Sequence, residues 1–401
     1  MKLINRPFYQ DKIQKNLGKN SIIILTGQRR VGKSFLLRLI RENVNSNNLG
    51  NVIFIDKEKT VFDDIVSYHE LNAFIENHRK KGVTNFILID EIQDIKDFER
   101  SLRNFYEEDD IEIIVTGSNS RMLSSDLSTL IGGRYKEIHI LPLSYSEFMD
   151  FNELSDSDDT LIKYINRGGL PGLVLRGEDE MEIREYQKDV YNTALLKDII
   201  MKNDIRNAPF LENLVKYLAD NTGKLISASN ISKFMKSSGN PVTTPAILSY
   251  LKYLCEAFII ERVGRYDIHG KRLFESNDKF YFEDHGIRNA ISGGKREGDI
   301  EKIIENIIYS ELIRAGYEVT VGQLRNGEID FVISKPNGDR AYIQASYIIA
   351  SQDTYEREFG NLKSIHDNYP KYVISMSPLL TESEDEGIKH LHLRKFLTEG
   401  I

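Results

Sequence analysis

Two glycines, a lysine and a serine stand in Gly27-Gln28-Arg29-Arg30-Val31-Gly32-Lys33-Ser34 at the spacing G-x-x-x-x-G-K-[ST], which suits the grip of a polyphosphate. The glycines let successive backbone N–H groups turn toward phosphate oxygens, and the amides run on into Phe35 at the start of a helix. Lys33 then brings an ammonium to the β and γ groups of ATP, and the Ser34 hydroxyl is placed to hold Mg2+. The pattern counts only between a strand and a helix. Here an apolar run over 22–26 precedes it and a helical pattern over 35–42 follows.

A second constellation completes the chemistry. Phe86-Ile87-Leu88-Ile89-Asp90-Glu91 reads as a buried strand that delivers two acids to its carboxyl end, where ligands bind in parallel sheets. Taken alone, such an ending is ordinary solvation of a strand end. Beside a phosphate loop it becomes a catalytic pair, with Asp90 on the metal and Glu91 as base or orienter of the in-line water. Hydrolysis of a γ-phosphate depends on positioning more than on covalent chemistry. The next strand, over 111–116, runs into Gly117-Ser118-Asn119. Ser118 or Asn119 is there a sensor of the water or the γ-phosphate, or the segment is a plain turn.

These side chains need a sheet to hold them. Short runs rich in β-branched residues at 22–26, 52–55, 86–89, 111–116 and 137–140 alternate with helical periodicities, which predicts an α/β fold around a parallel sheet. A chain of 401 residues exceeds one core, and 40% apolar with 28% charged residues is the composition of a folded soluble protein. The single cysteine, Cys255, leaves no internal disulfide and no Cys-rich zinc site. No run approaches the roughly 18 to 20 apolar residues that cross a bilayer, and the start has no leader-like apolar segment, so a cytoplasmic protein with no membrane role is expected.

The net charge of −8 argues against indiscriminate coating of nucleic acid but leaves room for a local basic face. Residues 221–265 supply one, with Lys224, Lys233, Lys236, Lys252, Arg262 and Arg265 against Glu256 and Glu261. The same stretch reads as a helix over 226–235, a turn at Gly239-Asn240-Pro241, a helix over 243–253 and then hairpin-like strands. That is the outline of a winged helix, which contacts DNA or docks proteins.

Together with Leu88-Ile89-Asp90-Glu91-Ile92-Gln93, Thr116-Gly117-Ser118, Gly133-Arg134, Leu141-Pro142-Leu143-Ser144-Tyr145-Ser146-Glu147-Phe148 and Gly168-Gly169-Leu170-Pro171, the phosphate loop resembles a family of bacterial and archaeal AAA+ ATP-binding proteins. The C-terminal part of that family looks like a restriction-endonuclease fold, and the similarity covers nearly the whole chain. It implies a P-loop AAA+ ATPase core over 1–155, a helical lid over 156–220, a winged-helix domain over 221–295 and a small α/β nuclease-like domain over 296–401. It also implies a role for Arg134, which follows a helix expected at 121–131. In AAA+ proteins an arginine between the fourth helix and fifth strand reaches into the neighbouring subunit's site, which calls for a homo-oligomer, expected as a hexameric ring. The other reading of Arg134 is a surface cation beside a helix end.

In the tail the resemblance points to Glu305, Asp330 and Gln344 as a vestigial nuclease site. Working nucleases of that fold place an acid and a lysine two apart where this chain has Gln344 and Ser346, and Lys363 is the candidate replacement for the lysine. The expected function is an ATP-hydrolysing oligomer that binds DNA, branched DNA included, and remodels it or moves along it. A nucleotide switch acting on a protein partner and an ATP-dependent nuclease in defence or repair stay open beside it.

Overall fold

A computed structural model describes residues 5–401 apart from 121–131, 206, 238, 240, 269, 271, 274–276, 294–298, 326 and 379–383. The helix expected at 121–131 lies outside the described residues. By contacts the chain forms two compact units, Met1–Ile140 with Glu256–Phe258, and Leu141–Cys255 with Ile259–Ile401.

The first unit contains α1 (Pro7–Gln14), β1 (Ile22–Thr26), α2 (Lys33–Ser46), β2 (Asn51–Asp56), α3 (Tyr68–His78), β3 (Asn85–Asp90), α4 (Phe98–Phe105), β4 (Ile111–Thr116) and β5 (Tyr135–His139). Its five strands are parallel in the order β2-β3-β4-β1-β5. The strands β1, β3 and β4 bury apolar residues on both faces, so both must be covered. Ile22, Ile24, Ile55, Ile89 and Val115 share one core with Leu71 of α3 and Phe98 and Leu102 of α4. The alternate positions Ile23, Leu25, Leu88 and Ile114 are fully buried too, and α2 buries Leu36, Leu37, Ile40 and Val44. The strands expected at 22–26 and 111–116 are met residue for residue. Because β4 lies between β1 and β3, the phosphate loop and the acids leave strands that are not neighbours, and the last residue of β4 falls between them.

The second unit begins with α5 (Tyr145–Asn152), α6 (Asp158–Arg167), a short 3-10 turn at Pro171–Arg176, α7 (Glu180–Thr193), which runs on as a π-helix over Ala194–Met201, and α8 (Ala208–Asp220). The two helices of the expected winged helix are α9 (Ala228–Ser237) and α10 (Thr244–Glu256). There follow β6 (Ile260–Val263), β7 (Arg265–Asp267), β8 (Arg272–Leu273), β9 (Lys279–Phe282) and α11 (His285–Ile291). The last part holds α12 (Asp299–Arg314), β10 (Glu318–Leu324), β11 (Gly327–Ser334), β12 (Arg340–Ala345), α13 (Gln352–Lys363), β13 (Lys371–Ser375), β14 (Glu384–Asp385), β15 (Ile388–His392) and α14 (Leu393–Glu399).

An eight-stranded sheet runs β14-β15-β13-β12-β11-β10-β7-β8, while β6 and β9 pair separately and antiparallel. The short hairpin β7-β8, from the segment expected as a wing, therefore extends the sheet of the last segment, with Arg265 opposite Val321. Without it β10 would be an open edge with unpaired N–H and C=O groups. By contacts, Leu141–Cys255 and Ile259–Ile401 form one compact unit. No helix among the described residues is long and apolar enough to cross a membrane.

Candidate active site

The turn from β1 into α2 depends on its glycines. Gly27 sits at φ +135°, and a Cβ there would lie 2.3 Å from the Ile140 carbonyl oxygen, while Gly32 takes φ +103°. Lys33, only 4% exposed, donates its ammonium to Gly27 O at 2.8 Å and Gln28 O at 2.9 Å, so its charge lies inside the curve of the loop. Gln28 is buried, and its Oε1 has no hydrogen-bond partner among the described residues. Behind the loop, Arg6 Nη1 donates to Val31 O at 2.9 Å, with the guanidinium stacked 4.5 Å over the Tyr9 ring. That buried arginine fixes the far wall of the loop.

The two acids are set by one hydroxyl. Thr116 Oγ1 donates to Asp90 Oδ1 at 2.5 Å and accepts from Glu91 N at 3.0 Å. Burial pushes the Asp90 carboxyl above its usual range, against the Thr116 hydrogen bond and the nearby Ser34 hydroxyl and with help from the neighbouring charges of Glu91 and Asp56. Asp90 Oδ2 is buried with no hydrogen-bond partner among the described residues. A buried oxygen of that kind beside a serine hydroxyl is a donor set that fits a hard cation such as Mg2+. Asp56, opposite Asp90 in register and buried, faces Arg38 at 3.6 Å and Lys59 at 3.7 Å.

Glu91 has the opposite character. It holds a left-handed φ of +53° at the strand end, hydrogen-bonded by Gln93 Nε2. Burial works to raise its carboxyl, but the charge of Lys33, the Gln93 hydrogen bond, the charge of Arg29 and a hydrogen bond from Ser118 together hold it below its usual range. An acid that stays ionised in a buried place is suited to accept a proton from water or to orient it. Ser118 and Asn119 are both buried at this end of β4, and Ser118 acts on Glu91. Sequence reasoning named these residues but missed Thr116 and Gln93 as the groups that hold Asp90 and Glu91. The available signal was a hydroxyl ending the strand beside the acidic one, and an amide two residues past Glu91.

Comparison with known proteins adds the lineage. A family of AAA domains matches residues 19–149, and a domain of unknown function matches residues 158–298. An uncharacterised protein of Haemophilus influenzae is 30% identical over 406 residues, covering 99% of this chain and 99% of that one. The chain belongs to that protein's family. A relative in Methanocaldococcus jannaschii, also described as uncharacterised, is 27% identical over 372 residues, 89% of this chain and 80% of its own. Among solved structures, Cdc6p of Pyrobaculum aerophilum aligns at a TM-score of 0.32 with 14% identity, over 77% of this chain and 96% of that chain.

In this family member the phosphate loop and both acids thus fall inside the AAA domain, and the remaining expected residues distribute as follows. Arg29 is half-buried and Arg30 exposed, at φ +68°; Phe35 is half-buried on the first turn of α2. Arg134 is exposed at the amino end of β5, the end of the parallel sheet away from the loop; it stacks 5.3 Å over Tyr106 and pairs with Glu107 at 3.2 Å. In the second unit Glu305 and Asp330 come together on Lys279, and Gln344 Oε1 accepts from Asp330 N at 3.3 Å. Lys363, the candidate replacement for the lysine, has partners of its own. It pairs with Asp385 at 2.6 Å and Glu386 at 3.1 Å, because the last turn of α13 faces β14 and the turn after it. Of the basic residues at 221–265, Lys224, Lys233, Lys236 and Lys252 are exposed, while Arg262 is tied to Asp278 at 2.7 Å and Arg265 to Gln323 at 2.9 Å.

Proposed function

We propose that this chain hydrolyses ATP as a homo-oligomer and uses the turnover to remodel DNA or to move along it. The observation that carries the enzymatic half is the division of labour at the strand ends: Thr116 fixes a buried Asp90 with one open carboxylate oxygen next to a Glu91 held ionised. In this reading the amides of Gly27 to Phe35 and the Lys33 ammonium bind the phosphates, and Ser34 with Asp90 would hold Mg2+. Once bound, that ion neutralises charge on the phosphate oxygens. Glu91 orients the water and receives its proton, and Ser118 or Asn119 senses the γ-phosphate. Arg134, far from its own loop by about 16 Å of strand, serves the site of a neighbouring subunit in a ring of six.

The DNA half rests on four exposed lysines in and next to the two helices α9 and α10, in a chain that is otherwise acidic. Segment 156–220 acts as the lid, 221–295 as the DNA-contacting module and 296–401 as a nuclease-like platform. The test is the rate of phosphate release with no DNA and with single-stranded, duplex and four-way DNA, using Lys33→Ala as the zero. Stimulation by DNA that weakens with salt is expected. A rate that is the same in all four conditions would remove the DNA half, and no phosphate release at all would remove the enzyme.

A further inference from the structure

Lys279, the first residue of β9, has a side chain only 1% exposed, yet it carries a charge in the middle of three acids. Its ammonium lies 2.6 Å from Glu328 Oε1, 2.8 Å from Glu305 Oε1 and 3.0 Å from Asp330 Oδ1. Of its three N–H donors, two go to Glu305 and Asp330, and Glu328 completes the cluster as an ion pair. The acids are engaged from their other sides as well. Glu305 Oε1 also accepts from the Tyr281 hydroxyl at 2.7 Å, and Asp330 Oδ2 accepts from Ala345 N at 3.0 Å. Gly223 makes room for the cluster, since a Cβ there would stand 2.5 Å from Glu305 Oε2.

We propose that Lys279 is the resident cation of this cluster, standing where a metal-dependent nuclease of the fold that the tail resembles would hold its divalent ion. The comparison with a nuclease rests on the reading of 296–401 given above; the occupancy by lysine does not. Position and charge decide against a divalent ion: the ammonium already occupies the point on which the three carboxylates converge, 2.6 to 3.0 Å from each. Its electrostatics agree. Burial opposes the charge on Lys279, but Glu305, Asp330 and Glu328 outweigh it and hold the ammonium charged well above its ordinary range. Gln344 and Ser346 point the same way, because a neutral amide and a hydroxyl stand where the acid and lysine of a working site would be.

The consequence is a C-terminal unit that takes no divalent ion at these acids and cleaves no DNA there. The experiment measures thermal melting of the full, nucleotide-free chain with and without Mn2+, comparing wild type, Asp330→Asn, Lys279→Met and Lys279→Met/Asp330→Asn, together with Mn2+-dependent cleavage of duplex DNA. Wild type and Asp330→Asn are expected to respond to Mn2+ alike. Lys279→Met is expected to melt lower and to recover by several degrees with Mn2+, a gain absent from the double variant. If Lys279→Met does not fold, Lys279→Met/Glu328→Gln leaves one fewer carboxylate and carries the same expectation. An Asp330-dependent response to Mn2+ in wild type, Asp330-dependent cleavage, or no gain of Mn2+ response in either lysine variant overturns the proposal. None of these readings involves ATP, so they stand or fall apart from the ATPase.

Discussion

Replacing Thr116 by valine keeps the shape of the side chain and removes one oxygen that serves both acids. The lost hydrogen bond to the Asp90 carboxylate is worth about 1.5–3 kcal/mol, and the Glu91 N–H left without its acceptor costs about 1–3 kcal/mol more. The pH dependence identifies the cause. Asp90 already has its carboxyl raised by burial, and Thr116 is the first of the groups that hold it down. An acid whose folded pKa is raised favours its protonated form in the fold, so its stability contribution is whole below the unfolded pKa and is lost as pH rises through the folded one. Thr116→Val raises that pKa further. The deficit in melting temperature against wild type is therefore expected to be largest at neutral pH and to shrink on acidification, and the acid limb of turnover to move to higher pH. Residues that orient ligating carboxylates typically change activity by about 10- to 100-fold, which is the expected fall in turnover. Thr116→Ser keeps the oxygen and should retain most of it. Wild-type turnover in Thr116→Val, or a stability deficit that is flat from pH 5 to pH 8, would refute the assignment.

Glu91→Gln should bind ATP normally while phosphate release falls by about 100-fold or more, as measured by nucleotide binding and turnover side by side. Mixing Glu91→Gln subunits with Arg134→Ala subunits should restore part of the activity that each lacks alone, because one supplies the arginine and the other the acid; no recovery at any ratio would leave Arg134 a surface cation. Gly27→Ala places a carbon against the Ile140 carbonyl at a φ that alanine avoids, and is expected to lose nucleotide binding and to destabilise the chain by more than about 1 kcal/mol on melting. Glu305, raised to about 7 by burial, favours the fold in its protonated form, so stability from this group falls as pH climbs from about 4.5 through 7. Melting curves of Glu305→Gln should show a flatter pH slope than wild type over that window.

The first unit was legible in the sequence because β1, β3 and β4 are buried on both faces and read as unbroken apolar runs that lead into residues with visible chemistry. Lys33, Asp90 and Glu91 stand at the ends of such runs, so locating the strands located the site. What escaped was whatever depends on the order of strands in space. Thr116 meets Asp90 only because β4 lies beside β3, and nothing local to residue 116 says so. Lys279 escaped for the same reason, since its partners Glu305, Glu328 and Asp330 come from a helix and a strand that follow a presumed domain boundary. Lys363 lies within the last segment and was visible in the sequence, but its side chain is paired with Asp385 and Glu386.

The later motifs of the family resemblance have a different physical content from the first two. Leu143 N donates to Gly169 O at 2.7 Å, and the Tyr164 hydroxyl donates to Leu143 O at 3.0 Å, which clasps the segment before α5 to the end of α6. Asp284 Oδ2 then accepts from Gly169 N at 2.7 Å while its Oδ1 accepts from Ile287 N at 2.8 Å, capping α11 and the glycine pair with one carboxylate. Gly168, at φ +76°, passes so near that a Cβ would stand 2.6 Å from Asp284 Oδ1 and 2.7 Å from Gly286 N, and a Cβ on Gly286 would stand 2.3 Å from Arg167 O. Any side chain at these positions would force the backbones apart, so Gly168-Gly169 is required by packing. Separating α6 from α11 would strip a buried carboxylate of an amide donor, which is costly. A displacement of α6 is therefore expected to carry α11 with it, so that the segment over 156–220, acting as the lid, brings the residues after β9 along.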